Sequence, residues 1–122
     1  RPAHISTRGN HTASLGWKAV LEHERALLET AREGLAAIGG VTLYGDAEVR
    51  TPTLMFNVAG RSPAEVAAAL AAHEVAVWDG NYYALELARW LGLEPDGAIR
   101  AGAVAYNEAE DVDRLLEAVT SL

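Results

Sequence analysis

Apolar residues recur at spacings of three, four and seven from Trp17 to Ile38 (Val20, Leu21, Leu27, Leu28, Ala31, Leu35, Ile38), and no later stretch keeps one period for as long. Such a stripe commits the segment to an amphipathic helix whose apolar side needs a partner layer. Gly39-Gly40 marks its end. The partner layer must come from short pieces. Val41–Tyr44 and Thr53–Ala59 read as strands, the second with Leu54, Phe56 and Val58 on one face and Met55 and Asn57 on the other. Ser62-Pro63-Ala64-Glu65 is a helix start: serine caps, proline takes the first position and Glu65 completes a capping box. That helix runs to about His73, Val75–Trp78 reads as a third strand, and Tyr83–Leu91 as a short helix stopped by Gly92. A Glu94-Pro95-Asp96-Gly97 turn leads into a strand from Ala98 to Tyr106. Asn107 then caps a last helix, with Glu110 at the capping-box position and Val112, Leu115, Leu116 and Val119 as its buried stripe. The order α, β, β, α, β, α, β, α predicts an α+β fold: one small, mainly antiparallel sheet with helices packed largely on one face.

Residues 1–16 are polar and aperiodic and are expected to form an irregular arm or a truncation junction, leaving 17–122 as one domain. The net charge of −7 disfavours phosphate backbones and gives no polybasic route to anionic membranes, so neither nucleic acid nor membrane is an expected partner. Cysteine is absent, which removes disulfides and thiolates and fits a reducing cytoplasm. The four histidines are scattered without ligand spacing, and no metal site is expected.

Two features carry possible chemistry. Strand alternation puts Arg100 on one face with Gly102, Val104 and Tyr106, and Ile99, Ala101, Ala103 and Ala105 on the other. A guanidinium beside glycine has room to fork onto a carboxylate. On pattern alone the plainer reading is an arginine at a strand edge, snorkelling to water or pairing with Asp96 or Glu94. Asn81, Tyr82 and Tyr83 offer an amide and two phenols at a turn opening a helix, or tyrosines that simply fill a seam.

The stretch GLEPDGAIRAGAVAYNEAEDVDRLLEAV resembles the C-terminal signature of class V aminotransferase-like enzymes of the cysteine desulfurase-like group. TLMFNVAGRSPAEVAAALAAHEVAVWDGNYYALEL and HERALLETAREGLAAIGGVTLYGD resemble the family's preceding segments, so the likeness runs from about Glu22 to Leu122. It implies the small C-terminal domain of a fold-type I enzyme dependent on pyridoxal 5'-phosphate (PLP), a homodimer with its active site at the subunit interface, and an amino-acid substrate. It implies that Arg100 binds the substrate α-carboxylate, with Asn81 and Tyr83 on the substrate side. The segment Ser6–His11 resembles a family motif whose threonine reaches the PLP phosphate of the partner subunit, which places Thr7 there.

The chain departs from the family twice. The persulfide-forming cysteine of true desulfurases aligns near Tyr83, and without a cysteine this chain cannot attack a substrate sulfur with a thiolate. The PLP-binding large domain is missing, and Lys18, the one lysine, stands at the start of a helix rather than where the family places its Schiff-base lysine. The expectation is therefore a substrate-binding small domain, inert alone, that needs a PLP-binding large domain as partner. The alternative is a stand-alone α+β module that binds a small carboxylate or mediates subunit association.

Overall fold

A computed structural model describes the backbone from Pro2 to Leu122 and the side chains from Gly16 onward. The first helix, α1, spans Pro2–Ala36. It includes the segment expected to be an irregular arm. Pro2 stands in the first turn, where its missing N–H costs nothing, and Gly9 and Gly16 weaken a helix by about 1 kcal/mol each without forbidding it. Its buried stripe is Leu27, Leu28, Ala31 and Leu35, while Trp17 and Leu21 are exposed.

Strands β1 (Val41–Tyr44), β2 (Thr53–Val58), β3 (Trp78–Gly80) and β4 (Ala98–Gly102) form one sheet in the order β1-β2-β4-β3. Every neighbouring pair is antiparallel, as expected. Helices α2 (Pro63–Ala72) and α4 (Ala109–Thr120) join α1 over one face of the sheet, while α3 (Leu85–Trp90) lies within the β3–β4 connection. Alternation explains the sidedness. Leu54, Phe56 and Ile99 point inward and meet Leu35, Val66, Leu70, Leu115 and Val119. Met55, Asn57, Arg100 and Gly102 occupy the intervening positions and so turn to the other face.

β2 stops one residue short of the expected Ala59, and two strands differ more: β3 is Trp78–Gly80 and β4 is Ala98–Gly102. β3 begins at Trp78, not Val75. Val75 and Val77 pack on the core from an unpaired segment, so their alternation reflects burial rather than ladder pairing. β4 ends at Gly102, not Tyr106. The Ala103 N–H still donates to the Pro52 carbonyl (2.9 Å), but the Val104 N–H then donates to Asn107 Oδ1 (2.9 Å) and the chain turns.

Asn107 thus closes a turn instead of capping α4. Glu108 is the N-cap, and its N–H donates to Asp111 Oδ2 at 2.9 Å. At α2 the expected box is present: the Glu65 N–H donates to Ser62 Oγ (3.3 Å) and the Ser62 N–H to Glu65 Oε2 (2.7 Å).

Leu35 and Phe56 are fully buried, so Leu35→Ala should cost about 2–5 kcal/mol and Phe56→Ala about 3–5 kcal/mol in denaturant unfolding. Trp90→Ser, at an exposed position, should change stability by less than about 0.5 kcal/mol. Hydrogen bonds from the Ser62 backbone and side chain hold the Glu65 carboxyl below its ordinary range. The Glu108 backbone and the Asn107 side chain do the same for Asp111. A lowered folded pKa gives stability that is complete above the unfolded carboxylate value and lost as pH falls through the folded one. Melting temperature should therefore fall with acidification below about pH 4, and less steeply in the Glu65→Gln, Asp111→Asn double variant.

Candidate functional site

Arg100 sits in the middle of β4, between Met55 of β2 and Trp78 of β3 in the cross-strand register. Its side chain is on the face not covered by α1, α2 and α4, and it is exposed. The ion pairs among the described residues are Glu86–Arg89 (2.8 Å) and Asp111–Arg114 (3.9 Å), so Arg100 pairs with neither Asp96 nor Glu94. It lies over an aromatic ring: the guanidinium carbon is 5.8 Å from the Tyr82 ring centroid, within cation–π range.

Tyr82 is placed by an unusual backbone. Tyr82 and Tyr83 both have positive φ, 54° and 62°, a region in which side chains other than those of glycine, Asn and Asp are uncommon. Three contacts hold the turn. The Tyr83 N–H donates to Asn81 Oδ1 (3.1 Å), the Ala84 N–H donates to the Asn81 carbonyl (2.8 Å), and the Tyr82 phenol reaches two carbonyls, those of Trp78 (2.7 Å) and Ala98. One phenolic proton serves both oxygens, so an ionised phenol would face two acceptors with no donor. Gly97 allows the strands to close here. A Cβ at Gly97, whose φ is +76°, would fall on the Gly80 carbonyl.

The turn brings Tyr82 to Arg100, but not Tyr83. Tyr83 is fully exposed at its tip. Asn81 is half-buried, and its side-chain oxygen is used within the turn. Thr7 lies outside the residues whose side chains are described. Lys18, on α1, is exposed and does not line the space beside Arg100.

That space is an open hollow of about 370 Å³ lined by Tyr44, Arg50, Thr53, Met55, Tyr82 and Arg100 among others. Sequence reasoning passed over Arg50, which lies in the β1–β2 loop where no period marks it. Its Nη2 donates to the Gly45 carbonyl (2.8 Å) and its Nε to the Ala47 carbonyl (3.2 Å). A second hollow of about 400 Å³ opens on the core side between α1 and α4, walled largely by Leu27, Leu28, Leu54, Val112 and Leu115. Its lining also includes Val75, Val77, Ala101 and Ala103, but not Arg100.

Burial pushes the Tyr82 phenol up to about 12, the Asp79 carboxylate adds to the shift, and Arg100 partly offsets it. The fold therefore favours the neutral phenol. That contribution is complete below the unfolded value near 10 and lost as pH rises through about 12. Phenolate absorbance should show one late-titrating tyrosine, and Tyr82→Phe should remove that component. A Tyr82→Phe titration indistinguishable from the parent's would contradict the assignment.

Three comparisons with known proteins bear on this arrangement. A family model described as aminotransferase class-V matches residues 9–115. A probable cysteine desulfurase of Staphylococcus epidermidis is 36% identical over 111 residues, covering 90% of this chain and 26% of that protein. One from Mycolicibacterium paratuberculosis is 41% identical over 105 residues, covering 86% of this chain and 15% of that protein. Among solved structures, the apo cysteine desulfurase of Thermococcus onnurineus NA1 superposes with a TM-score of 0.82 at 29% identity, over 92% of this chain and 28% of that one. The chain spans between 15% and 28% of the length of these proteins. By the family match and by these relatives, it belongs to the class-V aminotransferase family, on its cysteine desulfurase-like side, and corresponds to a piece of such a protein.

Proposed function

We propose that this chain is the substrate-binding small C-terminal domain of a PLP-dependent enzyme acting on an amino acid, and that Arg100 holds the substrate α-carboxylate. The observation that carries this reading is a guanidinium with no carboxylate partner among the described residues, facing an open hollow on the helix-free side of the sheet. A carboxylate forked onto it gains two charge-assisted hydrogen bonds. The Tyr82 ring limits the arginine's freedom, so less is lost when a ligand orders it. Asn81 and Tyr83 belong to the same turn and are assigned to the substrate side of the assembled enzyme. The resemblance sets Tyr83 near the desulfurase cysteine, and a phenol cannot perform that thiolate's attack.

Cysteine desulfurases and class-V aminotransferases use PLP. The described residues of this chain do not fit that group by themselves. No lysine lines the hollow, and Lys18 is on a helix that packs against the other face of the sheet. PLP must then be held by a large domain, and Thr7 is assigned to the cofactor phosphate of a partner subunit in a homodimer. The isolated chain is inert, and the complete enzyme works in the cytoplasm.

The decisive measurement is made on the complete enzyme. Arg100→Ala should lower kcat/KM by the equivalent of about 2–5 kcal/mol, chiefly through KM for the amino acid, and Arg100→Lys should recover only part of it. Unchanged affinity in both variants would falsify the carboxylate role. The isolated chain should elute from gel filtration without PLP absorbance. Retained PLP would instead favour a self-sufficient binding module.

A further inference from the structure

The hollow beside Arg100 contains a second uncompensated cation. Arg50 spends two of its five N–H donors on the Gly45 and Ala47 carbonyls. Those oxygens orient the guanidinium but carry no formal charge, and neither ion pair among the described residues includes Arg50. The chain carries a net charge of −7, yet the lining of this hollow holds two arginines and no carboxylate. The hydroxyl-bearing residues Tyr44 and Thr53 also line it.

The spacing of the two cations matters. Arg50 is tied to Gly45, the residue after Tyr44; Tyr44 pairs with Met55, and Met55 with Arg100. Two inter-strand steps, about 10 Å, therefore separate the end of β1, where the Arg50 guanidinium is tied, from the backbone of Arg100. Two forks set apart across one hollow favour two anionic groups joined by a short chain over a single compact anion. A ligand with one carboxylate leaves the other guanidinium facing water.

We propose that this hollow takes a small dicarboxylate, with Arg100 on one carboxylate and Arg50 on the other. The substrate of the complete enzyme is then an amino acid with an acidic side chain. This rests on the reading of Arg100 as the α-carboxylate clamp and adds Arg50 as the residue that selects the side chain.

The test titrates the chain at low salt with succinate, propionate and inorganic phosphate, following arginine Nε–H resonances in nitrogen-15 spectra. Succinate should bind about tenfold or more tightly than propionate, as a second charge-assisted fork implies. Succinate should shift both Arg50 and Arg100, and propionate Arg100 alone. Arg50→Gln should bring succinate down to the propionate level, while Arg50→Lys should keep part of the preference. The shift of the Arg50 resonance in the unaltered chain needs no variant, so a loop disturbed by substitution does not affect it. If succinate gains nothing over propionate while Arg100 still responds, the dicarboxylate inference fails and the clamp stands. Phosphate binding as tightly as succinate overturns it equally. If no ligand moves Arg100, the clamp reading fails as well.

Discussion

The pairing of β2 with β4 is the constraint on which the rest of the structure depends. Phe56 opposite Ile99 and Met55 opposite Arg100 fix which residues are buried and which are not. A slip of β4 by one residue would send Arg100 into the apolar layer and Ile99 out of it. Removing a charge from water without a partner costs several kcal/mol, so the hydrophobic pattern and the arginine enforce the same register. The helix layer follows. Leu35, Leu70 and Val119 have somewhere to bury only because one face of the sheet is continuously apolar.

The sidedness then creates the candidate site. The core helices take one face, and the other is left to the β1–β2 loop and the Asn81–Gly97 connection. That connection pays for its position with two left-handed tyrosines in succession. Backbone in sparsely populated regions costs on the order of 1–3 kcal/mol per residue and persists where surroundings enforce it. Here the enforcing contacts are the phenol of Tyr82 against two strand carbonyls and the glycine-to-glycine approach of Gly97 and Gly80. The same phenol ring stands by Arg100. One side chain thus links backbone strain, sheet closure and the orientation of the cation.

Family membership and geometry answer different questions. The relatives identify the kind of protein from which such a chain comes, and they are several times longer. The hollow with two arginines is a property of this chain's own loop and strands. Its chemistry follows from charge and donor geometry rather than from likeness.

Much of the fold was legible in residue order. The stripe running to Ile38, two residues past the helix end at Ala36, the Ser62 cap with Glu65, and the alternation of TLMFNV each act within a few residues, so local physics determined them. The antiparallel sheet with helices largely on one face followed from the same patterns, and Arg100 was visible as a charge in an apolar strand. Tertiary structure decided the rest. Val75 and Val77 alternate like a strand but are unpaired, because packing and ladder formation leave the same signature in sequence. Asn107 precedes a helix as a cap would, but Asp111 accepts the Glu108 N–H and leaves Asn107 to close a turn. Tyr82 rather than Tyr83 reaches Arg100 because positive φ angles rotate the turn, which identical neighbouring side chains cannot reveal. Arg50 enters the site from a loop without periodicity. Only the meeting of that loop with β4, residues distant in the chain, brings the second cation to the first.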